Sequence, residues 1–92
     1  MLELKQANDQ LIYLKDTDFC EDSHIALMSI LEDYELLNFE MRIYPCEMED
    51  EDDYKYFTGT IMKEFNKILD TFMYGLSESS CLWEVKLLLK RK

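Results

Sequence analysis

Phe39-Glu40-Met41-Arg42-Ile43-Tyr44-Pro45-Cys46-Glu47-Met48-Glu49-Asp50-Glu51-Asp52-Asp53 sets two kinds of sequence end to end. From Phe39 to Tyr44 apolar and polar residues alternate, the period of a strand with one buried face. Phe39, Met41 and Ile43 take that face, and Pro45, which has no N–H to give to a ladder, stops the pattern. From Glu47 to Asp53 there are six carboxylates in seven residues and no base, the nearest being Lys55. Charges this close repel one another and work against the compact state, so the run reads as a loop or strand end kept for something other than folding.

Working outward, Tyr54–Thr58 fits either the second strand of a hairpin or the first turn of a following helix. A glycine inside a helix costs about 1 kcal/mol, so Gly59 places the helix start near Thr60. Ile61, Phe65, Ile68, Leu69, Phe72 and Met73 then form an amphipathic stripe that ends at Gly75. After a small linker at 76–80, residues 81–90 alternate again, with Trp83, Val85, Leu87 and Leu89 on one side. This is read as a strand, although Leu82 and Leu88 on the polar side leave a packed helix open. Before Phe39, a helix is expected from a cap at Asp18, Asp22 or Ser23 to about Asn38. It would bury Leu27, Met28, Leu31, Tyr34 and Leu37 and turn Glu32, Asp33 and Glu35 outward. At the start, Leu4, Ala7, Leu11 and Leu14 recur at helical spacing over residues 3–15, with a short strand at Gln10–Leu14 as the alternative. The sum is a single α+β domain over residues 1–92, with about three helices and a small antiparallel sheet of two or three strands.

Ninety-two residues with 48% hydrophobic content can bury a core without disulfides or metal, so the acidity is not that of a disordered tail. The net charge of −10 argues against nucleic acid or an anionic membrane as direct partner and for a basic protein surface. Residues 1–53 hold sixteen acids and three bases, while residues 54–92 hold four acids and seven bases. The anionic surface therefore belongs to the first part of the chain. Cys20, Cys46 and Cys81 are an odd set without CxxC spacing, which reads as reduced thiols in the cytoplasm. The N-terminus lacks a secretion signal's charged and apolar regions, and no apolar run is long enough to span a membrane.

The candidate binding residues are Glu47, Glu49, Asp50, Glu51, Asp52 and Asp53, with Asp18, Glu21, Asp22, Glu32, Asp33, Glu35 and Glu40 beside them on ordered elements. Ordered carboxylates can hold fixed spacings and so stand in for phosphates in a basic groove. Calcium is a poor fit: counting from Asp50, the sixth and twelfth positions of an EF-hand loop are Lys55 and Ile61 instead of Gly and Glu. Cys20 and His24 have ligand spacing for one helix turn, but no second pair completes a metal site. With no nucleophile elbow, no phosphate-binding glycine loop and one histidine, no catalytic residue, metal or cofactor is expected. Tyr44, Tyr54 and Tyr56 flank the acidic run and would suit an interface. They support an alternative in which a regulator or anti-CRISPR-type inhibitor binds through an apolar and tyrosine patch.

The chain length, the Glu47–Asp53 run and the charge split together resemble the small phage proteins that disarm host defence by imitating DNA. Within these the resemblance is to the anti-restriction nuclease proteins of T-even bacteriophages. It implies a homodimer whose joint anionic surface imitates a duplex. It also implies a target, the DNA-binding surface of a host restriction endonuclease that acts on modified cytosine (McrBC type), met in the bacterial cytoplasm.

Overall fold

The computed structural model describes residues 2–45, 54–75 and 80–92. Five strands form one antiparallel sheet: β1 (Glu3–Gln6), β2 (Leu11–Asp16), β3 (Tyr34–Pro45), β4 (Lys55–Gly59) and β5 (Ser80–Arg91), in the order β1-β2-β5-β3-β4. Two helices cover one side, α1 (Glu21–Ile30) and α2 (Met62–Ile68), the latter running on through a π-helical turn at Leu69–Met73. Both β2 and β3 pair antiparallel with β5, so β5 sits between them and the β2–α1–β3 connection crosses over it. By the same logic β4–α2–β5 crosses over β3. The two crossovers interlock, and β5, the last strand, holds the centre of the sheet.

The strands Phe39–Tyr44 and 81–90 form as the alternation predicts. Phe39, Met41 and Ile43 on β3 and Trp83, Val85, Leu87 and Leu89 on β5 are all buried, together with Ile12 and Leu14 of β2. Phe65 and Leu69 close this core from the α2 side and Leu27 from α1. The Phe65 ring meets Phe39 edge-on at 5.4 Å and Phe19 at 6.3 Å, an arrangement favoured by aromatic quadrupoles.

Three expectations are corrected. The helix over 3–15 is a β-hairpin, so the described residues hold two helices and five strands instead of about three helices and two or three strands. Asn8 supplies the reason: its side-chain oxygen accepts the N–H groups of Gln10 and Leu11 at 2.9 and 3.0 Å, an Asx-type turn that folds the segment back. The helix expected to reach Asn38 ends at Ile30, and Tyr34 onward belongs to β3. A β-bulge between Leu36 and Asn38 puts Leu37 out of step, which gave that run its helical spacing. Met28 and Ile61, both expected in the core, are 44% and 53% exposed. Tyr54–Thr58, left open between strand and helix, resolves towards a strand: β4 pairs Lys55 with Ile43 and Gly59 with Phe39.

Candidate functional site

The carboxylates singled out in the sequence separate into three groups. Glu47, Glu49, Asp50, Glu51, Asp52 and Asp53 lie outside the described residues; the chain leaves the sheet at Pro45 and re-enters it at β4. Thirteen acids and ten bases lie among the described residues, a balance of −3 against −10 for the whole chain. Most of the excess therefore belongs to the segments 46–53 and 76–79.

The second group is Glu35 and Glu40 on β3. In the β3–β5 ladder Glu35 stands opposite Lys90, and Glu40 stands opposite Lys86. Directly opposed unlike charges on neighbouring strands attract and contribute roughly 0.2–1 kcal/mol. Each glutamate therefore has a lysine as its cross-strand neighbour.

The third group sits along α1. Glu21 and Asp22 are exposed in its first turn, with exposed Asp18 just before them. At the other end the backbone makes one further turn: the N–H of Glu32 donates to the Ser29 carbonyl at 3.3 Å and that of Asp33 to Ile30 at 3.1 Å. Glu32 and Asp33 are exposed there. Acids at a helix N-terminus meet the positive end of its dipole and stabilise it by about 0.3–1 kcal/mol, whereas acids at the C-terminus meet the negative end. Helix stability therefore accounts for Glu21 and Asp22 and not for Glu32 and Asp33. No carboxylate lies between Asp22 and Glu32, a rise of about 15 Å. Exposed Ile25, Ala26 and Met28 fill that gap, so α1 is not a phosphate-like row.

Beneath the start of α1 lies a polar cluster that sequence reading missed. Asp16 occupies an inward position of β2 and is 1% exposed. Its Oδ2 accepts the Ser23 hydroxyl at 2.6 Å, and its Oδ1 accepts the Asp18 N–H at 2.8 Å. Burial pushes the Asp16 carboxyl up, but these hydrogen bonds outweigh it and hold the group below its ordinary value. Asp16 thus ties the turn before α1 to the Ser23 side chain, while the cap expected of Asp18, Asp22 or Ser23 is not formed: the N-cap is Cys20, and no side chain makes a cap bond. The Cys20 thiol is exposed and lies 3.6 Å from the Ser23 hydroxyl. Hydrogen bonding from the Ser23 backbone, then from its side chain, lowers the thiol below its usual range. His24 turns away to Tyr74, its Nδ1 lying 2.6 Å from the phenol oxygen. Cys20 and His24 therefore have different partners, and among the described residues no three His, Cys, Asp or Glu side chains group to hold a metal ion.

The side of the sheet away from the helices carries Tyr44, Tyr54 and Tyr56. Arg42 lies over the rings of Tyr56 at 5.4 Å and Tyr54 at 5.8 Å, and its Nη1 is 3.9 Å from Glu84 Oε2. The Tyr44 hydroxyl donates to the same carboxylate oxygen at 3.2 Å, and its ring lies 5.1 Å from that of Tyr54. Burial, then this hydrogen bond to Glu84, pushes the Tyr44 phenol above its ordinary value. The cluster binds itself together, leaving Tyr56, at 47% exposed, as its most open aromatic ring.

No helix among the described residues is long and apolar enough to cross a membrane. No protein-family model, curated protein or solved structure matches the chain.

Proposed function

We propose that this protein is a non-enzymatic inhibitor whose Glu47–Asp53 segment occupies a basic, nucleic-acid-binding surface of another protein. The observation that carries the reading is the concentration of charge: six carboxylates fall between two paired strands, β3 and β4, of a framework that is itself near charge balance. Seven residues reach at most about 25 Å. The segment therefore carries at least one charge per roughly 4 Å, close to the 3.4 Å per phosphate of one DNA strand. The hairpin fixes where both ends of the segment attach, which limits the entropy lost when it docks.

The resemblance to phage DNA-imitating anti-restriction proteins directs the choice of target, a restriction endonuclease acting on modified cytosine, met as a homodimer in the host cytoplasm. Binding by displaced counterions weakens steeply with salt. The test is capture of the nuclease on immobilised protein followed by elution with duplex DNA. Stepwise release by DNA supports the reading; capture that DNA does not disturb overturns it. A second reading, a regulator that binds through tyrosines, draws on the Arg42–Tyr54–Tyr56 array of the open sheet side. It expects affinity that is nearly the same at two ionic strengths.

A further inference from the structure

We propose that the outer side of α1 is a docking surface for a basic amphipathic helix of a partner protein. This does not rest on the imitation of nucleic acid, because it uses none of residues 46–53. Ser23 and Leu27 are the buried residues of α1 and define its inner side. Ile25 and Met28, three apart on the other side, are 63% and 44% exposed. Isolated exposed apolar residues are ordinary, but here two lie on one helix face beside exposed Ala26. They are bracketed by Glu21 and Asp22 before them and Glu32 and Asp33 after them. The helix Glu21–Ile30 carries no lysine or arginine.

Charge complementarity selects the occupant. An apolar centre with carboxylates at both ends excludes nucleic acid and anionic lipid. It fits a helix that presents leucine-like residues in one stripe and lysine or arginine at its borders. Such helix-on-helix contact reads anchors at i, i+3, i+4 and i+7. The ten residues of α1 span about 15 Å, so the contact is small and belongs to the weak, transient class of interface, with micromolar affinity. The apolar pair supplies the affinity, and the four carboxylates fix register and speed the encounter.

The test uses the full chain and a fluorescein-labelled peptide of about 18 residues, leucines in one helical stripe and lysines elsewhere. A scrambled peptide of the same composition is the control for general charge attraction. The expected result is saturable one-to-one binding in fluorescence anisotropy, with amide shift changes centred on Glu21–Asp33. The Ile25→Ser/Met28→Ser variant should weaken binding at least tenfold, as should Glu21→Gln/Asp22→Asn/Glu32→Gln/Asp33→Asn. Neutralising Glu49, Asp50, Glu51 and Asp52 should change it less than twofold. Equal binding of the scrambled peptide, an unaffected Ile25/Met28 variant, or shift changes confined to residues 46–54 would each overturn the proposal. So would sedimentation showing that α1 is already covered by a second copy that the peptide does not displace.

Discussion

Asp16 is the residue whose chemistry reaches furthest into the fold. It ends β2, accepts two hydrogen bonds at the start of α1, and does so while nearly free of solvent contact. Asp16→Ala would leave the Ser23 hydroxyl and the Asp18 N–H without their acceptor, and such a loss costs about 1–3 kcal/mol. Urea unfolding at neutral pH checks this. The pH dependence has a definite sign. The folded carboxyl titrates below the unfolded one, so its contribution is fully present above the unfolded value of about 3.9 and is lost as pH falls through the folded value. Asp16→Asn should therefore show less acid sensitivity than the parent in that window. Stability curves that stay parallel between pH 5 and pH 2.5 would contradict the assignment. Nothing in the sequence flagged Asp16, because it fell in the polar break after the expected helix or short strand; the Asp18 N–H and the hydroxyl seven residues on show what holds it inward.

At the scale of elements, alternation was a more faithful guide than helical spacing. Trp83, Val85, Leu87 and Leu89 were legible because β5 is covered on one side from Trp83 to Leu89, which keeps the period of two intact there. Leu4, Ala7, Leu11 and Leu14 misled because three of the four straddle a turn, and Leu4 is 58% exposed at the sheet edge. Asn8-Asp9 was the available signal for that turn. Tyr34–Leu37 misled through the bulge. The end of the π-helical turn after α2 gives a second prediction. A Cβ on Gly75 would lie 2.2 Å from the Thr71 carbonyl oxygen, a backbone atom. Gly75→Ala should therefore destabilise by about 1–3 kcal/mol through overpacking. A melting temperature equal to the parent's would show that the turn relaxes freely. By contrast, Ile25→Ser should leave stability within about 0.5 kcal/mol, since the side chain is mostly in solvent.

At the scale of the whole molecule, the charge was legible and its arrangement was not. Counting residues located the acidic excess in 1–53, yet Glu35 and Glu40 stand opposite Lys90 and Lys86 of a strand some fifty residues on in sequence. Pairing of that range cannot be read from composition. The α1 acids divide around Ile25 and Met28, and Glu47–Asp53 retains the dense charge. Salt-sensitive inhibition of a nuclease therefore belongs to Glu47–Asp53, apart from the weaker peptide contact proposed for α1. The most direct measurement is inhibition of DNA cleavage by a modified-cytosine restriction endonuclease, followed from 50 to 200 mM salt, for the parent and for Glu49→Gln/Asp50→Asn/Glu51→Gln/Asp52→Asn. Near-stoichiometric inhibition by the parent is expected, falling more than tenfold across this range, with none by the equally stable variant. Inhibition by the variant equal to the parent's, or no inhibition by the parent at low salt, would contradict it.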